Sequence, residues 1–253
     1  AGRIGPRTRA VSVSHITSPT ALVLPVGEIC AAAREHGVLA VVDGAHAPGQ
    51  VPVDLDALGA DVYAGNCHKW LCAPKGAAFL HVRRDRQENI RPLVISHGAN
   101  SSRTDRSRFL IEFGWMGTGD PSAALSVPEA IRVMGSLLPG GWPGVMRRNR
   151  ELAVAGRRIL CESLGIQPPC PDEWLGSLAS LPLPDAATPT PSKSPLYLDP
   201  LQDWLMENGK IEIPVIPWPA PPKRLIRISA QLYNSLPQYR HLAQALKKNL
   251  QPT

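Results

Sequence analysis

A chain of 253 residues is long enough to bury a full core in one or two domains. Its 43% hydrophobic and 19% charged content is that of a folded globular protein rather than a disordered one, and its longest apolar runs are strand-length, too short for a membrane-spanning helix. The formal charge of +6 raises nucleic acid as a partner, but the arginines are dispersed over Arg83 to Arg91, Arg103 to Arg108 and Arg147 to Arg158, so neither nucleic acid nor membrane is expected.

In chain order, Ala10 to Ile16 is rich in β-branched residues and reads as a strand. Pro25 opens a helical segment, Val26 to Glu35, which Gly37 closes. Val38 to Val42 is continuously apolar, as a parallel strand buried on both faces requires. A turn at Pro48-Gly49, a short helical piece Leu55 to Leu58, and strands Asp61 to Ala64 and Gly76 to Val82 follow. This strand-helix-strand rhythm predicts an α/β layer with helices on a mostly parallel sheet. Gly98 to Arg108 is polar and loop-like, and Pro121 opens a helix over Ser122 to Leu138. A second long helical pattern covers Trp142 to Leu164. Beyond Gly165 the chain is proline-rich, with an exposed loop expected over Asp185 to Ser194. Strands over Gly176 to Leu183, Ile211 to Ile216 and Leu225 to Ile228, with helices over Leu201 to Asn208 and Gln238 to Leu250, describe a smaller α+β domain. The expected division is 1–140 for the larger domain and 141–253 for the smaller one with its connecting helix.

The chemistry concentrates in Asn66-Cys67-His68-Lys69-Trp70. A lysine between two apolar runs is costly unless it is paired or loses its charge, and a desolvated amine attacks aldehydes to form a Schiff base. Pyridoxal phosphate is the obvious aldehyde, and Asp43, closing Val38 to Val42, is a carboxylate suited to its ring nitrogen. A lysine that snorkels from a strand end and an aspartate that caps a turn are the plainer alternatives. The five cysteines form neither a CxxC nor a CxxH pair, which argues against a disulfide framework and a zinc site; no metal is expected. The first residues lack the apolar core of a signal peptide, and a reducing, cytoplasmic location is the default.

Several segments together resemble the class V aminotransferase family of fold type I pyridoxal-phosphate enzymes, in the flavour of its isopenicillin N epimerase-like branch. They are Ser14-His15-Ile16-Thr17-Ser18-Pro19-Thr20, Val42-Asp43-Gly44-Ala45-His46-Ala47-Pro48-Gly49, Gly65-Asn66-Cys67-His68-Lys69-Trp70, Pro74-Lys75-Gly76, Gly117-Thr118-Gly119-Asp120-Pro121-Ser122 and Arg227-Ile228-Ser229. The resemblance implies part of a large coenzyme-binding domain with a mostly parallel sheet, a small α+β C-terminal domain, and pyridoxal 5'-phosphate as cofactor. It implies Lys69 as the Schiff-base lysine and Cα base, Asp43 as partner of the pyridine nitrogen, and His46 beside the ring's phenolic oxygen. Asn66 and His68 match positions that contact the coenzyme phosphate. Gly117 and Thr118 match a loop that reaches a partner subunit's phosphate in a homodimer with a shared active site. Arg227 matches the arginine that grips the carboxylate of an amino-acid substrate. Gly119 stands where relatives carry arginine, and His46 where many carry glutamine.

Fold and cofactor do not choose among epimerisation, C–S lysis and transamination, which share a Cα carbanion. A desulfurase of this family carries a nucleophilic cysteine shortly before the late arginine, and Glu207 to Lys223 contains none. Because Asn66-Cys67-His68-Lys69-Trp70 and Gly117-Thr118-Gly119-Asp120-Pro121-Ser122 look most like the epimerase-like branch, the resemblance implies an epimerase-like enzyme as the first expectation and a C–S lyase of cysteine-sulfoxide or desulfurase-like type as the second. The chain lacks an initiator methionine and starts just before its first strand, so an N-terminally incomplete member of the family is expected. An inactive fragment serving as a structural or dimerising module is the contrasting alternative.

Overall fold

The structure, a computed structural model, describes residues 2–186 and 199–250. Two compact units partition the chain: Ala1–His15, Pro25–Pro48 and Val53–Val133 make the first, and Ile16–Leu24, Gly49–Pro52 and Met134–Thr253 the second.

The first unit is built on a four-stranded sheet of β1 (Ala10–Ser14), β2 (Leu39–Asp43), β3 (Val62–Asn66) and β4 (Ala78–Val82), in that spatial order. β1, β2 and β3 run parallel, and β4 is antiparallel to β3. The helix Val26–Glu35 precedes β2 and buries Val26, Cys30 and Ala33, spaced four and three residues apart on one face. Gly37, at φ +65°, takes the left-handed conformation that turns the chain from this helix into β2. Val42 and Tyr63 sit at the centre of the sheet, both with under 2% of their surface exposed. The α/β class and the mostly parallel sheet agree with the sequence pattern.

At the end of the sheet where β2 and β3 begin, the buried carboxylate of Asp61 acts as a clip. It accepts from Ala40 N at 2.8 Å, Arg86 Nε at 2.9 Å and Arg83 Nη2 at 3.0 Å. The charge is stabilised by three donors at once, which is the condition for burying a carboxylate.

The second unit holds an antiparallel sheet of β5 (Leu178–Leu183), β6 (Val215–Pro217) and β7 (Arg224–Ser229), with β7 in the middle. The helices Gly141–Leu164, Pro200–Gly209 and Leu236–Leu250 supply Leu152, Leu160, Leu205 and Leu246, which pack with Leu181, Ile226 and Ile228 into one apolar core. Gly156 is required there, because a Cβ would lie 2.9 Å from the Tyr239 ring. Among the described residues no helix is long and apolar enough to cross a membrane.

Three local expectations change. The strand expected over Ile211 to Ile216 forms only at Val215–Pro217, since Pro214 has no N–H for a ladder and Ile211 N is already bonded to Leu205 O. The helix from Ser122 divides into Ser122–Leu125 and Val127–Ser136, because Pro128 cannot donate to the carbonyl four residues back. The polar stretch from Gly98 contains a helical turn, His97–Asn100, and runs into a helix, Arg108–Gly114, where Arg108 donates to Gly98 O and Ala99 O. Most of the loop expected over Asp185 to Ser194 lies outside the described residues.

Replacing Asp61 by alanine strands the Ala40 N–H and separates two arginines from their carboxylate. The expected loss is about 2–4 kcal/mol of stability, read as a fall in the urea unfolding midpoint.

Candidate active site

In a parallel sheet, all strands deliver their C-terminal residues to the same end. The register sets Asp43 of β2 opposite Ala64 of β3, so the peptide after Asp43 and the segment after Asn66 emerge side by side. Asp43 closes β2 with its Oδ1 accepting from Ala45 N at 2.9 Å, an Asx turn that folds the chain back toward His46. Asn66 closes β3, half-buried. Beyond it, Cys67 N and His68 N both donate to Ala77 O, at 2.9 and 3.2 Å, and Ala73 N donates to Cys67 O at 3.1 Å. This tight loop rests on a small core of Cys67, Ala73 and Ala77, with Leu71 and Phe79 against it. It holds Lys69 half-buried, with Nζ 3.3 Å from Nε2 of His46.

Asp43, His46, Asn66, His68 and Lys69 are therefore all carried by the C-terminal ends of two adjacent parallel strands in the first unit. The ring of His68 donates Nδ1–H to Ala77 O at 3.0 Å, because a carbonyl can only accept. Its Nε2 then offers a lone pair in the neutral ring and an N–H only in the charged ring. Cys67 is buried in this small core, and that burial pushes its thiol above the ordinary range.

Gly117 and Thr118 stand apart from this group in an exposed bend. Gly117 has φ +149°, and Asp120 Oδ1 after it accepts from Ser122 N at 2.9 Å. Trp115 is also exposed. Arg227 lies on β7 in the second unit, where its Nη1 donates to the backbone oxygen of Ser18 at 2.6 Å and to Ser18 Oγ at 2.9 Å. Burial lowers the Arg227 pKa from its ordinary value.

One functional layer escaped the sequence reading. Tyr63 is fully buried, and its hydroxyl lies 2.9 Å from Nδ1 of His15, itself 6% exposed. His15 N in turn donates to Asp43 O at 2.8 Å. A Cβ on Gly44 would lie 2.1 Å from the Tyr63 ring, and one on Gly65 would lie 2.4 Å from Phe79, whose ring runs parallel to that of Tyr63. The glycines of Asp43-Gly44 and Gly65-Asn66 are thus forced by an aromatic floor of Tyr63 and Phe79 at this strand end. Only the bulky Tyr63 beside small Ala64-Gly65 hints at this in the sequence. Desolvation raises the Tyr63 pKa, with the Asp43 carboxylate adding to it, and desolvation lowers that of His15. Both are therefore neutral near pH 7. His15 links the end of β1 to β3 through the Tyr63 hydroxyl, while Thr17 holds a turn of the second unit through Leu22 N at 2.9 Å.

A lysine, a carboxylate and an imidazole are thus carried at one strand end of an α/β sheet. The family model described as Aminotransferase class-V matches residues 2–140, and the chain belongs to that family. Isopenicillin N epimerase of Amycolatopsis lactamdurans is 38% identical over 256 residues, covering 97% of this chain and 61% of that protein. An L-cysteine desulfhydrase of Arabidopsis thaliana is 30% identical, covering 97% of this chain and 55% of that protein. Among solved structures, a mutant of C-DES with glycine covalently linked to its PLP cofactor has a TM-score of 0.72 at 24% identity, over 97% of this chain and 62% of that one. That likeness establishes the fold. The chain spans about three-fifths of the length of the epimerase it matches.

Two outcomes follow from the aromatic floor. Gly44→Ala drives a methyl into the Tyr63 ring and costs about 1–3 kcal/mol, seen as a lowered unfolding midpoint. For His15, the folded pKa is depressed, so below about pH 6.5 the unfolded chain binds the extra proton. The contribution of His15 is complete above that pH and is lost as pH falls. Urea unfolding should show less stability at about pH 5.5 than at about pH 7.5, with a flatter profile for His15→Gln.

Proposed function

We propose that the chain forms the core of a pyridoxal-phosphate enzyme that acts at the Cα of an amino acid, of the isopenicillin N epimerase-like kind. Pyridoxal 5'-phosphate is the coenzyme of the class V family. The observation that carries the reading is the approach of Lys69 Nζ to His46 Nε2 at 3.3 Å, on the strand end that also bears Asp43.

The donor set fits the coenzyme. An amine suits the aldehyde, a carboxylate the pyridine nitrogen, an imidazole the phenolic oxygen, and Asn66 with the charged form of the His68 ring, whose Nε2 then carries an N–H, the phosphate. Bound there, the coenzyme supplies an electron-poor ring that makes the substrate Cα–H acidic. Lys69 would attach it covalently and, once released, take the Cα proton on Nζ. Asp43 would hold a proton on the ring nitrogen, and its Asx turn keeps the carboxylate oriented before anything binds. His46 would keep Nζ and the phenolic oxygen within one hydrogen-bonded group. Arg227 would take the substrate carboxylate through a planar fork. In this reading residues 1–140 form the coenzyme-binding domain and 141–253 the small domain. The exposed Gly117-Thr118 bend is left for the phosphate of a second copy in a homodimer.

The epimerase at 38% identity supports the first choice of reaction, and the desulfhydrase at 30% supports a C–S lyase as the second. The absence of a cysteine between Glu207 and Lys223 speaks against a desulfurase using a cysteine at that place.

The test is to incubate the protein with pyridoxal phosphate and single amino acids in deuterated water. Epimerase-type action exchanges and inverts Cα without releasing pyruvate; pyruvate and sulfide from L-cysteine would favour the lyase. Lys69→Ala should abolish either reaction, and Asp43→Ala should slow it by at least about a hundredfold. Exchange that persists in Lys69→Ala contradicts the proposal.

A further inference from the structure

Arg227 is a half-buried cation with an unusual set of partners. No carboxylate among the described residues forms a salt bridge with it, and burial lowers its pKa from the ordinary value. Its contacts fall on one nitrogen: Nη1 donates to Ser18 O at 2.6 Å and to Ser18 Oγ at 2.9 Å. Its Nε is buried and has no hydrogen-bond partner. A buried N–H left unsatisfied costs free energy, and such groups are rare in native folds without a functional reason.

The seat on which Nη1 rests is rigid. Thr17 N donates to Leu22 O at 3.0 Å, and Leu22 N returns to Thr17 Oγ1 at 2.9 Å. Val23 N donates to Trp174 O at 2.8 Å, and Ile16 pairs with Val23 while Leu22 pairs with Leu175. On the other side of Ser18, the carbonyl of Pro19 accepts from Ser180 Oγ at 2.7 Å. Ser180 of β5 is the register partner of Arg227 on β7. The strand that presents the guanidinium and its neighbour that clamps the Ser18 loop are thus paired at the same rung.

A guanidinium has two edges that can grip a carboxylate with parallel N–H bonds: the end-on edge of both Nη atoms and the side-on edge of Nε and Nη2. Ser18 consumes Nη1 and with it the end-on edge. The side-on edge keeps the buried Nε–H and Nη2, neither of them bonded within the described residues.

We propose that Ser18 is a positioning residue for carboxylate recognition, fixing Arg227 through Nη1 so that its Nε/Nη2 edge, covered at Nε until a ligand displaces that cover, is oriented as a side-on fork for the α-carboxylate of an amino-acid ligand. The proposal rests on the reading of Arg227 as the substrate-carboxylate arginine. Fixing the fork beforehand removes the rotamer entropy that a free arginine loses on binding. A lysine at this position would keep the charge and lose both the Ser18 seat and the paired geometry.

The test uses the whole chain labelled with nitrogen-15, following the Arg227 Nε–H resonance by NMR, assigned by its absence in Arg227→Lys. Sodium acetate is titrated against chloride at constant ionic strength, with acetamide as the uncharged control. The wild-type signal should be resolved, protected from exchange, shifted by acetate and indifferent to acetamide. In Ser18→Ala, which keeps the backbone acceptor and removes Oγ, the acetate midpoint should rise about tenfold, as for loss of a hydrogen bond to a charged group, and exchange protection should fall. An unchanged midpoint and protection in Ser18→Ala overturn the positioning role. A wild-type signal that acetate does not move overturns the fork. Neither readout requires the coenzyme, so failure of pyridoxal phosphate to attach to Lys69 would sink the proposed function while leaving the Ser18 seat standing.

Discussion

The parallel pairing of β2 with β3 is the constraint on which the candidate site depends. With Asp43 set against Ala64, the chain after each strand turns at the same end of the sheet, and an amine separated from a carboxylate by 26 positions is delivered to one cluster with it. A shift of register by one residue would turn β3 over relative to β2, carry Tyr63 off the face it shares with Val42 and Gly44, and dissolve both the cluster and its floor. The Asp61 clip works at the opposite end of the same strands. Two arginines and the Ala40 N–H on one carboxylate oppose slippage where the strands start, so that their ends remain aligned where the chemistry lies.

Beneath the cluster, Tyr63 connects packing to electrostatics. Its ring occupies the space a Gly44 side chain would need, and its hydroxyl reaches His15 across the β2 strand. A neutral phenol and a neutral imidazole make a floor that carries no charge of its own, beside the Asp43 carboxylate. Desolvation is expensive for ions and cheap for such a satisfied pair. The second unit solves a related problem differently: Arg227 stays charged while half-buried, steadied by the neutral oxygens of Ser18 and not by a carboxylate that would compete with a ligand.

Much of this was legible in the sequence, for identifiable reasons. The continuously apolar Val38 to Val42 does form a parallel strand, but only its Ala40 and Val42 face is buried and Leu39 is 39% exposed, so the expected cover on both faces is not met among the described residues. Asp43 and Lys69 are conspicuous because charged residues are costly at the ends of such runs. The Gly37 turn and the long helix ending at Gly165 were likewise written in local chemistry. What sequence could not convey was the pairing of residues distant along the chain. His15 with Tyr63, Ser18 with Arg227, and Ser180 with the Pro19 carbonyl all join segments whose proximity only the folded sheets create. The strand expected from Ile211 failed for the opposite reason: its apolar pattern was right, but Pro214 and the bond from Ile211 N to Leu205 O removed the ladder. Pro128 similarly divided a helix whose apolar spacing ran on unbroken.

Lys69 as the coenzyme's attachment point is the claim on which the functional account turns. It is tested most directly by mixing the protein with pyridoxal phosphate, reducing with tritiated borohydride, digesting and locating the label. One labelled peptide is expected, the one containing Lys69. Label distributed over Lys75, Lys210, Lys223 and Lys247, or no stable label at all, would contradict it.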